Sequence, residues 1–144
     1  MYHYTETGLQ NVWLANGYNV RKTSYGKSVS IEDAQGLHRA IGRALAHKSY
    51  LTGAEFRFLR KELDLSQHRV ADLLGTSEQT VALWEKRGKI PKTADRIFRA
   101  IYLEAVDGNV NIKELIECIA DLDRKVEEKM IFQDTEEGWL PKVA

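Results

Sequence analysis

The apolar positions of the chain keep two different rhythms, one near the N-terminus and another through most of the remaining length. Over the first 31 residues they come in short extended runs: Val12-Trp13-Leu14, then Tyr18 to Lys22, then Val29 and Ile31 alternating with serines. Asn16-Gly17 and Tyr25-Gly26 punctuate these runs with residues that accept a positive φ, which predicts a three-stranded β meander. Three strands this short need a partner to pack on. The next segment offers one, a helix from about 34 to 48 capped by Asp33, with Leu37, Ile41 and Leu45 on one face. Gly36 and Gly42 weaken this helix, so it depends on tertiary contacts.

From residue 51 the spacing turns helical. Thr52 and Glu55 form a capping box for a helix that turns Phe56, Leu59 and Leu63 inward and Arg57, Arg60 and Lys61 outward. Ser66 caps a second helix bearing Val70, Ala71 and Leu74, and Gly75 follows where a helix end favours a left-handed residue. Ser77 caps a third helix with Val81 and Trp84 inward, stopped by Gly88. A helix over about 93–106 presents Ile97, Ala100 and Ile101 and ends at Gly108. Asn111 and Glu114 then open a long helix, about 112–130, with a stripe of Ile112, Leu115, Ile116, Ile119, Leu122, Val126 and Met130. The last fourteen residues, Trp139 and Pro141 among them, show no usable period. The expected fold is mostly α, in three segments: a β-meander and helix module over 1–50, a helical domain over 51–106, and a C-terminal helix and tail over 107–144.

Two short helices joined by the turn at Gly75 must cross steeply, with Ala71 small enough for the backbones to approach. That is the arrangement of a DNA-binding helix-turn-helix; two packed helices with no role on DNA are the alternative. Leu65, Ser66, Gln67, Ala71, Leu74, Gly75, Ser77, Thr80, Val81, Trp84 and Glu85 together resemble the Xre (Cro/CI-type) helix-turn-helix family. Residues 51–61 resemble that family's first helix, so the likeness covers about 51–103. The resemblance implies a lambda-repressor-like fold and a sequence-specific transcriptional regulator, a repressor, bound to double-stranded DNA as a homodimer on a palindromic operator. The third helix would enter the major groove with its first turn foremost. Base contacts are then expected from Glu78, Gln79, Thr80 and Leu83, with Gln79 suited to pair bidentately with adenine. Glu78 could accept from cytosine or merely favour the helix dipole. Backbone contacts are expected from Gln67, Ser77, Lys86, Arg87, Lys89 and Lys92.

Composition adjusts this picture. Among 144 residues 43% are apolar and 29% charged, enough for a core in a water-soluble chain. The net charge of zero conceals an asymmetry. Residues 1–51 hold six cations against three carboxylates, 52–99 ten against seven, and 100–144 five against eleven. A basic front and an acidic back suit a protein that meets phosphate on one side. His38, Arg39, Arg43, His47 and Lys48 give the 34–48 helix a basic outer face, either for DNA flanks or simply solvated.

Cys118 is the lone cysteine, and the four histidines fall at no ligand spacing, so no metal site, disulfide or cofactor is expected. Cys118 flanks the stripe of the 112–130 helix, where a packed thiol is expected. No glycine loop or nucleophile pair nominates an enzyme. With no leader or membrane-spanning run, the chain is expected to be cytoplasmic. The dimer surface is expected at the Ile112–Met130 stripe or on the helix ending in Tyr102 and Leu103. The helix-turn-helix also resembles the DNA-binding domain of MqsA-type (YgiT-like) antitoxins. That resemblance implies, as the alternative function, the antitoxin of a type II pair that binds an RNA-cleaving toxin and represses its own operon. The chain departs from those antitoxins in lacking the Cys-x-x-Cys zinc pairs of their N-terminal module.

Overall fold

Val12 and Leu14 are fully buried while Trp13 between them is half-buried, the alternation of a strand with one covered face. What covers and flanks that strand comes partly from the far end of the chain. The computed structural model describes residues 1–108 and 130–142. They divide into two compact units, one of residues 1–41 with 130–142 and one of residues 42–108.

In the first unit a four-stranded sheet has the order β1-β2-β5-β6, built from β1 (Tyr2–His3), β2 (Val12–Leu14), β5 (Met130–Thr135) and β6 (Gly138–Pro141). β1 runs antiparallel to β2, with Tyr2 opposite Leu14. β2 runs parallel to β5, with Trp13 opposite Ile131, and β5 turns back antiparallel into β6. β3 (Tyr18–Thr23) and β4 (Gly26–Ile31) pair only with each other, as a separate two-stranded ribbon. Buried residues of this unit include Tyr4, Leu9, Val12, Leu14, Leu37, Ile41, Phe132 and Trp139.

The expected three-stranded meander is therefore corrected. All three segments are strands, but Asn16-Gly17 does not fold β2 onto β3. The Asn16 amide instead brackets Asp134: its Nδ2 donates to the Asp134 carbonyl at 3.3 Å, and the Asp134 N–H donates to Asn16 Oδ1 at 2.7 Å. Gly17 has φ 76°, and a Cβ there would lie 2.5 Å from the Trp139 ring. The glycine thus serves a close approach by the tail as well as a turn. Trp139 is fixed by its Nε1, which donates to the carbonyls of Glu32 and Asp33 at 3.1 and 3.2 Å. The aperiodic tail is a β-hairpin whose first strand supplies an inner strand of the sheet. Met130, expected at the end of a helix, opens β5. The remainder of the expected 112–130 helix, Cys118 included, lies outside the described residues.

Helix α1 (Ala34–Ala46) begins in the first unit and ends in the second. Asp33 opens it as expected, its Oδ1 accepting the Gly36 N–H at 3.1 Å. Within the second unit, a Cβ at Gly42 would overlap the Tyr102 hydroxyl, so this glycine lets α1 lie close to α5 (Lys92–Asp107). The basic outer face foreseen for α1 is partly neutralised inside the chain. Arg43 pairs with Asp107 at 2.8 Å, and Lys48, nearly buried, pairs with Glu55 at 2.6 Å.

The rest of the second unit is α2 (Gly53–Glu62), α3 (Gln67–Leu74) and α4 (Glu78–Arg87), closed by α5. Phe56 stacks on Phe98 with centroids 4.3 Å apart and meets Trp84 edge-on at 6.0 Å. Two expectations change here. In α5 Ala100 is buried as expected, but it shares the inward face with Asp95, Phe98, Arg99, Tyr102 and Leu103, while Ile97 is 38% exposed. The charges can turn inward because they are paired. Arg99 Nε lies 2.5 Å from Asp95 Oδ1, Asp95 Oδ2 accepts the Leu51 N–H at 2.8 Å, and Arg99 Nη1 donates to the Lys48 carbonyl. In α2, Arg60 is buried rather than outward, for a reason that belongs to the site.

Candidate nucleic-acid interface

The local chemistry of each helix end sets the site. Ser66 Oγ accepts the Arg69 N–H at 3.0 Å, and Ser77 Oγ accepts the Thr80 N–H at 3.1 Å, so both short helices start where the sequence placed their caps. Gly75 ends α3 at φ 73°, with its N–H and that of Thr76 both donating to the Ala71 carbonyl. Only two residues, Gly75 and Thr76, separate the last helical residue of α3 from the cap of α4. Val70, Ala71, Val81 and Trp84 are buried, which fixes both helices from behind.

What this leaves in front is the first turn of α4. Glu78 and Gln79 are exposed, Leu83 one turn on is 43% exposed, and Thr80 is half-buried. Thr80 Oγ1 lies 2.8 Å from Ser77 Oγ, so these two hydroxyls satisfy one another. Glu78 shares His68 with Asp72, at 3.7 and 3.5 Å from the ring nitrogens. Lys86 and Arg87 at the end of α4, and Lys89 and Lys92 beyond the Gly88 cap, are all exposed. The cations expected to meet DNA thus cluster at the C-terminal end of the helix whose N-terminal turn carries the polar readers.

Between α2, α3 and α4 runs an open groove of about 610 Å³, lined by Arg57, Ser66, Gln67, Glu78, Ala82 and Lys86 over a floor of Arg60 and Glu85. The floor is a bidentate ion pair. Arg60 Nε and Nη2 donate to the two carboxylate oxygens of Glu85 at 2.7 and 3.0 Å, and Nη1 donates to the Leu65 carbonyl at 3.0 Å. Gln67, expected as a phosphate contact, donates one amide N–H to Glu85 Oε1 at 3.2 Å. Its position is therefore set from inside, and the residue lines the groove.

Two contributors escaped the sequence reading. Arg60 and Glu85 are 25 residues apart, and no local spacing signals a pair at that separation. Arg57, exposed on the groove wall, follows from helical periodicity as an outward residue but gains meaning only once α4 lies opposite. Among the described residues, no cluster of His, Cys, Asp and Glu could hold a metal ion, and no helix is long and apolar enough to cross a membrane.

Residues 56–99 match the model of the Helix-turn-helix family, a span that takes in most of α2, the whole of α3 and α4, and the first half of α5. No curated protein and no solved structure matches the chain.

Proposed function

We propose that the chain is a transcriptional repressor that binds double-stranded DNA as a homodimer and reads a palindromic operator through α4. The observation that carries this reading is the division of labour on α4. Val81 and Trp84 anchor its back, Gln79 and Leu83 stand clear of the surface, and exposed cations crowd its C-terminal end. A helix held so can lie in the major groove, with side chains of its first turn reaching base edges and the flanking cations neutralising phosphates. One helix-turn-helix of this size covers little DNA, which favours two copies on half-sites about one helical turn apart.

The reading is tested by fluorescence anisotropy on an operator duplex obtained by selection from a random pool. With about four to six phosphates neutralised per chain, a dimer loses affinity with salt at a log–log slope of about −7 to −11. Lys89→Ala is expected to weaken all sequences alike and flatten the slope by roughly one. A slope near zero for the unaltered chain would dispose of DNA binding as the function.

A second reading, an antitoxin that also captures an RNA-cleaving toxin, is favoured by one observation. The helix-turn-helix is joined to a separate small unit with its own sheet. It requires the product of a neighbouring gene to co-purify with the chain. Absence of any such complex leaves the plain repressor.

A further inference from the structure

The β3–β4 ribbon carries chemistry that the helix-turn-helix leaves unused. Its register sets Tyr18 opposite Ile31, Val20 opposite Val29 and Lys22 opposite Lys27, alternating with Asn19–Ser30, Arg21–Ser28 and Thr23–Gly26. Successive side chains on a strand take opposite faces, so these two sets of pairs define the two faces of the ribbon. The first is apolar at its base, where Tyr18, Val29 and Ile31 are half-buried, and ends in the two lysines. The second is polar along its length: Asn19, Arg21, Thr23, Ser28 and Ser30 are all exposed. At the tip Tyr25 is 99% exposed. From Tyr18 to Ile31 there are three cations and no carboxylate.

That arrangement is costly for a ribbon with no partner. Two-stranded ribbons are marginal by themselves, and like charges directly opposite each other destabilise the pairing. Among the described residues none of Arg21, Lys22 and Lys27 has an ion-pair partner. A lone edge lysine would suffice to prevent edge-to-edge pairing. Here two opposed lysines end one face, and the Arg21 guanidinium stands on the other with the Ser28 and Ser30 hydroxyls. Asn19 donates to Glu32 at 3.4 Å and Thr23 to the Gly26 carbonyl at 2.7 Å. The donors left open lie on both sides of the ribbon, and an anionic partner completes them. Protein interfaces deplete charge at an apolar centre, and the polar face of this ribbon has no such centre. A phosphate backbone is the partner whose charge and acceptor oxygens match it.

We propose that the β3–β4 ribbon is a second DNA contact, in which Arg21, Lys22 and Lys27 neutralise phosphates of the duplex and the Ser28 and Ser30 hydroxyls hydrogen-bond to them. The proposal rests on the DNA-binding reading of α4 and extends it: the ribbon adds affinity but no sequence preference. A two-stranded ribbon is narrow enough for the major groove, yet backbone contact alone is required here.

The test uses the full chain and a mixed-sequence duplex of about 30 base pairs, titrated at several salt concentrations. Replacing Arg21, Lys22 and Lys27 together by glutamine is expected to flatten the log–log slope by up to about three per chain and to weaken binding at every salt concentration. A variant with glutamine at Lys86, Arg87 and Lys89 is measured beside it. If the unaltered chain does not bind duplex DNA, both readings fall. If it binds, the α4 variant weakens and the ribbon variant does not, the ribbon proposal alone falls. A ribbon variant that binds DNA normally but fails to capture a protein partner overturns it in favour of a protein-binding role. A second measurement avoids mutation altogether. Acetylation of Lys22 and Lys27 in the unaltered chain should slow when the duplex is added, and unchanged rates would overturn the proposal even if the variant misfolds.

Discussion

Glu85 gathers three donors on one carboxylate: two N–H groups of Arg60 at 2.7 and 3.0 Å, and the Gln67 amide at 3.2 Å. With side-chain exposures of 11% and 6% for Arg60 and Glu85, water screens this pair weakly. Removing one member of a buried pair leaves an uncompensated charge and costs about 3–5 kcal/mol. Arg60→Leu is expected near the low end, because Gln67 still donates, and a urea titration measures the loss. Replacing both partners, Arg60→Leu with Glu85→Met, should recover most of it, since apolar residues of similar size replace buried pairs at little net cost. A double variant as unstable as the single one would mean that packing, not charge, holds α2 to α4. Gln79 presents the opposite case. It is exposed, so Gln79→Ala should leave folding unchanged and remove about 1–3 kcal/mol of base discrimination at one or two positions of each half-site. Repeating operator selection with the variant reads this directly. Uniform weakening on every sequence would instead make Gln79 a backbone contact.

Helix placement at the site turns on one close approach. A Cβ at Gly53 would overlap the Glu85 carbonyl and crowd that of Trp84, so the start of α2 lies directly against the last turn of α4. Helix propensity favours Gly53→Ala by up to about 1 kcal/mol, less at a first-turn position. Overpacking against backbone atoms costs about 1–3 kcal/mol, because a main chain cannot rotate away as a side chain can. The steric effect is the larger, and Gly53→Ala is expected to lower the melting temperature and weaken DNA binding together. An unchanged melting temperature with full binding would refute this account of how α2 positions α4. The helix ends needed no such long-range information. Thr52 with Glu55, Ser66, Ser77, Gly75 and Gly88 each act within four residues of the group they satisfy, and all are found in the roles their spacing predicts.

For the molecule as a whole, one of the surfaces expected for a dimer is withdrawn. Tyr102 and Leu103, which a partner could have covered, are buried within the chain. The other expected surface, the apolar stripe read from the sequence between Ile112 and Val126, lies in the segment outside the described residues. On that sequence reading the 16.5 kDa chain should sediment as a dimer at micromolar concentration without DNA, and Ile119→Asp should return it to a monomer. Dimerisation that survives the substitution would move the interface elsewhere, and a monomeric unaltered chain would remove the homodimer.

The sequence by itself determined much of what depends on neighbours a few residues apart. That includes the caps, the left-handed glycines, the inward face of α4 and the exposure of Gln79, because helical hydrogen bonds and periodicity are local rules. It also predicted β2, β3 and β4 as strands, though not β1. The turn at Tyr25-Gly26 pairs β3 with β4 as its residues predict, but only tertiary structure decided the partners of β2. Asn16-Gly17 has the composition of a hairpin turn, but two hydrogen bonds to Asp134 and the ring of Trp139 commit it to a tail more than a hundred residues away. The same holds for the buried charges. Arg60 and Arg99 sit in amphipathic patterns where solvent is the default, and they turn inward because Glu85 and Asp95 meet them there. A periodic pattern reports how much apolar surface a segment must hide. It carries no record of which distant carboxylate, carbonyl or strand edge will make an exception worthwhile.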